Sequence, residues 1–201
     1  VLERFAVKQL LLPTPLADHP DFARLIARAA ATDTPVTNVA RGDRFWLTGQ
    51  TVLTTLWPPL DCLDRITRLA SHGGHYDSVN SCSLVLRLDH CDESGCRQAL
   101  LMGDGTTDTE HLLLSGPDRL AADLLKIGHH GSRYSSLPEF IQAVNPDQAV
   151  IQVGELNRFG HPDFGVLLRL RASGAAIYRN DQHGTVTAYP NPHGFQLQTA
   201  R

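Results

Sequence analysis

The chain has 201 residues, of which 42 % are hydrophobic, 19 % charged and 6 % aromatic, a composition that excludes disorder and coiled coil and gives a single domain enough apolar material for a sizeable core. No stretch approaches the ~20 uninterrupted apolar residues that span a bilayer, and no charged segment with an apolar run and cleavage site opens the chain, so independent membrane insertion is not expected. The formal charge of −3 gives no general attraction to phosphate backbones; such contact would have to come from locally placed arginines.

Val1, Leu2 and Phe5 have the spacing of a helix face, and Val7 to Leu12 then reads as a buried strand stopped by Pro13. An opening of this kind, with no initiator Met and no entry loop, reads as a piece whose N-terminal partner elements are missing. Asp21 to Ala31 has the composition of a helix, and Pro35 to Ala40 that of a strand. Arg44 to Leu47 and Thr51 to Trp57 read as a hairpin ended by Pro58-Pro59, and Leu60 to Asn80 as irregular. Ser83 to Leu88 and Arg97 to Met102 form a second predicted hairpin, which runs into Gly103-Asp104-Gly105.

Four cysteines do not fit zinc-knuckle spacing. Cys91 and Cys96 bracket the second hairpin's loop, where either a cross-strand disulfide in an oxidising compartment or free thiols are compatible with the spacing.

The last hundred residues alternate more regularly. Strands are predicted over Leu124 to Ile127, Ala149 to Val153 and Ala175 to Tyr178, with helices over Leu137 to Val144 and Pro162 to Ala172 and two further strands around Gly184 and Gly194. Ser136 and Glu139 read as a capping box for the first of these helices, and Ser173-Gly174 as the close of the second. Hairpins in the first half and alternation in the second predict an α/β (α+β) domain over residues 1–201, with sheets packed face to face and helices outside.

Chemistry gathers where strands end. Asp104 sits between glycines at the tip of an apolar strand, where the structural alternative is a turn aspartate. His129 and His130 lie between glycines at another strand exit, poor material for a core. His161 precedes Pro162 at a predicted helix start, where the alternative is helix capping, a task histidine does weakly. Three such loops on one sheet edge make a metal constellation, and carboxylate with neutral imidazole suits Zn2+ or Mn2+. His72, His75 and Asp77 have the residue types of ligands, but no predicted strand aims them.

Asn80-Ser-Cys-Ser83, Leu101-Met-Gly-Asp104, Gly128-His129-His130-Gly-Ser132, Asn157-Arg158-Phe-Gly-His161-Pro162 and Tyr178-Arg-Asn-Asp-Gln-His-Gly184 occur in this order. Together they resemble the C-terminal metallo-β-lactamase-like domain of ComEC-type DNA-uptake channel proteins, from about the first residue to Ala188. The resemblance implies an N-terminally truncated αββα sandwich with a two-metal hydrolase site, attached to a membrane channel and facing the outer side of the bacterial inner membrane. It implies a nuclease that degrades the non-transported single strand of incoming DNA. Asp104 and His161 would then be metal ligands, with His129 or His130 beside the metals, holding phosphate or handling a proton. Ser132 and Arg158 would bond phosphate oxygens. Arg133, Asn157 and Arg179 adjoin the site loops, and Asn80 falls near where related enzymes place a metal-side histidine.

One departure stands against this. The superfamily's early H-x-[HD]-x-D-H run is missing, which leaves roughly half of the ligands a two-metal site needs. The expectation is therefore a phosphodiesterase parent and a 201-residue piece that is inactive alone. Two alternatives remain open: hydrolysis of another phosphodiester, such as a phosphocholine ester, and a degenerate DNA-binding domain without metals. Only Lys8 and Lys126 are lysines, a bias of composition rather than a recognition device.

Overall fold

The computed structural model describes residues 2–70 and 78–201. Its first unit is β1 (Leu10–Pro13), α1 (Pro20–Ala31) and β2 (Val36–Val39), in which the two strands pair in parallel from Leu10 with Val36 to Pro13 with Val39. Parallel neighbours need a crossover, and α1 supplies it.

The first predicted hairpin forms as β3 (Arg44–Trp46) and β4 (Thr51–Trp57). Two short helices follow, α2 (Cys62–Ala70) and α3 (Ser78–Ser81), where irregular chain was expected. Cys62 and Ile66 of α2 are buried while Asp64, Arg65 and Arg68 face outward, so a helical stripe was present but too short to stand out among charges. The second hairpin is β5 (Val85–Asp92) and β6 (Gly95–Leu101).

A further helix, α4 (Thr107–Leu114), was not foreseen, because Thr-Asp-Thr-Glu reads as loop. Thr106, Thr109 and Glu110 are nonetheless buried, and their polar groups are bonded: Thr106 N donates to Thr109 Oγ1 at 3.2 Å, and the Glu110 carboxylate reaches the backbone of a later segment. The remainder runs β7 (Leu124–Lys126), α5 (Pro138–Val144), β8 (Gln148–Ile151), α6 (Phe164–Ala172), β9 (Ala176–Arg179), α7 (Asn180–His183), β10 (Val186–Asn191) and β11 (Gly194–Thr199).

Strands β3 to β9 form one sheet in sequence order, antiparallel as far as β6 and parallel from β6 to β9. Leu100, Leu125, Ala149 and Ile151 carry the sheet's core side chains, packed with Phe140 and Ile141 of α5 and Val166 and Leu170 of α6. The α/β class is as the sequence predicts. Of the two sheets of a sandwich, one is this seven-stranded sheet, while β1–β2 makes a separate two-stranded sheet and β10–β11 a third. The change of direction at β6 places the carboxyl ends of β6, β7 and β8 side by side on one edge, where open α/β sheets present their sites.

Two local expectations are corrected. Ser136 does not cap α5: it lies at φ 64°, Leu137 occupies the cap, and the Glu110 carboxylate accepts from Ser136 N at 2.6 Å and Leu137 N at 2.7 Å. Capping thus comes from another helix rather than from the adjacent serine. Likewise α6 starts at Phe164 with Asp163 as its cap, accepting from Gly165 N at 2.8 Å, which leaves His161 outside the helix.

All four cysteines are paired. Cys91–Cys96 closes the β5–β6 hairpin at a registered cross-strand pair, and Cys62–Cys82, twenty residues apart, joins α2 to the residue after α3. Among the described residues no helix is long and apolar enough to cross a membrane.

Candidate functional site

Three loops meet beyond β6, β7 and β8: 102–106, 127–135 and 152–163. They touch through glycines. A Cβ on Gly128 would stand 2.5 Å from the Gly105 carbonyl oxygen, and one on Gly131, at φ +77°, would stand 2.7 Å from Pro162 Cβ. Only residues without a side chain allow backbone to approach so closely. His129 N donates to Gly103 O at 3.3 Å and Lys126 Nζ to the same oxygen at 2.7 Å, which ties β7 to the Asp104 loop. Burial holds the Lys126 ammonium below its ordinary range, against the negative charge of Asp104 that pulls it up.

His129 and His130 both adopt left-handed backbone, at φ 46° and 54°. Non-glycine residues enter that region at a cost of about 1–3 kcal/mol each, and it is tolerated where surrounding contacts fix the geometry. Here those contacts include Ser132 N to His129 O at 2.8 Å.

The His130 ring is oriented from behind. Its Nδ1 lies 2.6 Å from the Gln152 carbonyl oxygen, which can only accept, so Nδ1 carries the hydrogen. The other nitrogen, Nε2, lies 3.4 Å from Asp104 Oδ1. A basic nitrogen and a carboxylate oxygen facing each other are stabilised by a positive charge between them, either a proton on Nε2 or a bound cation.

The His161 ring lies edge-on to the His129 ring with centroids 5.9 Å apart, and stacks with the Phe159 ring at 5.9 Å and 18°. Burial, followed by the neighbouring His129 and His130, lowers its pKa, and Asp163 opposes the shift. The imidazole is thus favoured in its neutral form, with a lone pair available. Both ends of the Asn157 amide are used on this loop: Nδ2 donates to His161 O at 2.9 Å and Oδ1 accepts from His161 N at 2.9 Å. Asn157 therefore shapes the loop that carries His161, and its amide is engaged there rather than turned to a substrate.

Asn80, at the end of α3, brings its Nδ2 to 3.4 Å from His129 Nε2. The helix is anchored by Ser81, whose carbonyl oxygen accepts from Trp57 Nε1 at 2.7 Å and Thr109 Oγ1 at 2.9 Å. Ser132 is 3 % exposed, and its Oγ accepts from Tyr134 N at 3.3 Å, so its hydroxyl lies beneath the surface. Arg133 and Arg158 are exposed, three residues after His130 and three before His161, whereas Arg179 is committed to Asp181 through Nε at 3.0 Å. His72, His75 and Asp77 lie outside the described residues.

Of the residues singled out in the sequence, Asp104 thus faces His130 and His129 lies against His161. Lys126, Gln152 and Phe159 belong to the same place and were not singled out. Phe159 stands inside the Asn-Arg-Phe-Gly-His-Pro string, whereas Gln152 acts through its backbone, which side-chain type does not announce.

Among the described residues no group of three or more His, Cys, Asp or Glu side chains is placed to hold a metal ion. A catalytic zinc takes three protein ligands, and the described donors alone do not make that set.

No protein-family model matches the chain. It is 29 % identical over 186 residues to ComE operon protein 3 of Bacillus subtilis, covering 92 % of this chain and 22 % of the relative. It is 36 % identical over 123 residues to Competence protein ComA of Neisseria gonorrhoeae, 61 % of this chain and 17 % of the relative. To Recombination protein 2 of Haemophilus influenzae it is 27 % identical over 135 residues, 64 % of this chain and 17 % of the relative. The chain spans about a fifth of the length of these curated relatives. With its strand-exit motifs on one edge, it is a homologue of one portion of the ComEC-type competence proteins.

Proposed function

We propose that this chain is the hydrolase portion of a DNA-uptake protein, a phosphodiesterase that cleaves the non-transported strand of incoming DNA during natural transformation. The observation that carries the reading is the convergence on one edge of Asp104, His129, His130 and His161, with His130 Nδ1 fixed by Gln152 so that Nε2 faces Asp104. A carboxylate, an oriented imidazole and a neutral imidazole at a partly exposed strand edge suit proton transfer at a phosphodiester. The name of one relative, Competence protein ComA, supports DNA as the substrate class.

A divalent ion, Zn2+ or Mn2+, belongs to this reading, and when bound would polarise the phosphodiester and activate water. Asp104 and His161 are the ligands proposed from this chain, and because the described donors are too few, others must complete the set. The 201 residues by themselves are then expected to bind DNA without cleaving it. A stoichiometric pair of ions found by elemental analysis on this chain alone would contradict that.

The pairing of all four cysteines supports an oxidising compartment, hence the outer face of the inner membrane. With a net charge of −3, contact with DNA rests on Arg133 and Arg158. Reversing both charges tests this: single-stranded DNA binding should fall, and the slope of log affinity against log salt should flatten by about 1–2. Unchanged binding and slope would remove DNA as the substrate and favour a small ester, for which hydrolysis of a phosphocholine ester is the comparison assay.

A further inference from the structure

Leu156 and Phe159, on the loop that carries His161, are 92 % and 82 % exposed, and Phe164, the first residue of α6, also leaves most of its surface to solvent. Single exposed apolar residues are ordinary, but three within nine residues at the rim of a polar site mark a surface that something covers. The Phe159 ring lies near-parallel to the His161 ring, with 18° between the planes and centroids 5.9 Å apart. Its chain neighbour Arg158 is exposed, as is Arg133, three residues past His130 on the adjoining loop.

A cationic side chain next to an exposed aromatic face is the arrangement by which single-stranded nucleic acids are held: the cation meets the phosphate and the ring takes the base, without regard to base identity. We propose that Phe159 is a base-stacking platform for the nucleotide entering the site, with Arg158 and Arg133 on its phosphates. This rests on the DNA reading above and adds to it a requirement for an unpaired base. In a duplex the faces of the bases are already occupied by stacking, so the platform selects single strand over duplex. A phosphate ester with neither a base nor a cationic group would gain nothing from the ring.

The test is equilibrium binding, by fluorescence anisotropy, of the full chain to a labelled oligothymidylate of about 12 nucleotides and to an abasic oligomer of the same length and charge. Phe159→Ala and Phe159→Leu should weaken oligothymidylate binding roughly tenfold, while Phe159→Trp keeps it, as stacking on a π-face predicts. Binding of the abasic oligomer should be the same in all four proteins. Unchanged oligothymidylate binding by Phe159→Ala overturns the platform, as does an equal loss for both oligomers, which would mark a collapsed loop. If the unaltered chain binds neither oligomer, the DNA reading itself falls and the platform with it. If it binds both and only the platform variants are silent, the DNA reading survives without the platform.

Discussion

Gly128 and Gly105 meet where a side chain has no room, the Cβ position of the first lying 2.5 Å from the carbonyl oxygen of the second. This approach seats the His129–His130 turn against the Asp104 loop, so the facing of His130 Nε2 and Asp104 Oδ1 at 3.4 Å depends on backbone packing as well as on the two side chains.

Gly128→Ala should therefore separate the loops. Overpacking of this kind costs about 1–3 kcal/mol, read as a lower urea midpoint at unchanged slope. Gly49→Ala is the control, since nothing lies within 4 Å of its Cβ position, and should stay within about 0.5 kcal/mol of the parent.

The Glu110 carboxyl is pushed up to about 7 by burial, against two backbone N–H donors and Arg169 that hold it down. Because the folded chain keeps this proton to a higher pH than the unfolded chain, with its ordinary value of 4.5, the contribution to stability is full below pH 4.5. It is lost as pH rises to about 7 and is flat above that. Glu110→Gln should remove this slope and, since its amide faces one of the two N–H donors, lower stability by about 1–3 kcal/mol on the acid side, where the parent keeps its proton. Urea unfolding of both proteins at pH 5 and pH 8 checks the sign: the gap between them should be smaller at pH 8.

Cys62–Cys82 holds the residue next to Ser81, and Ser81 anchors the α3 end from which Asn80 reaches His129. Replacing both cysteines by alanine should destabilise the chain more than the same change at Cys91 and Cys96. The loops closed differ, 20 residues against 5, which in chain entropy is worth about 1 kcal/mol. Asn80→Ala in the disulfide-intact chain isolates the contact with His129, read as a shifted His129 ring resonance.

Asp104, the histidine pair and His161 were legible because each follows an apolar strand and sits beside glycine, a pattern that marks a strand exit whatever the fold. The parallel order β6-β7-β8 was not written in any one segment, yet it is what sets the three loops on one edge. Helix α4 was hidden because its buried face carries Thr109 and Glu110, polar residues whose burial is offset by hydrogen bonds made far along the chain. Ser136 and Glu139 misled for the complementary reason: the local capping pattern was present, but Glu110 had taken the backbone donors. The second disulfide stayed unseen because twenty residues separate Cys62 from Cys82, and spacing alone does not predict a pairing of that length.

The most direct test of a phosphodiesterase site at the β6 loop is cleavage of labelled single-stranded DNA by the intact protein, with Mn2+ or Zn2+ supplied, in the unaltered form and as Asp104→Asn. Loss of several kcal/mol of transition-state stabilisation should lower kcat on the order of 1000-fold while DNA binding is retained. Cleavage by Asp104→Asn at the unaltered rate would contradict the assignment.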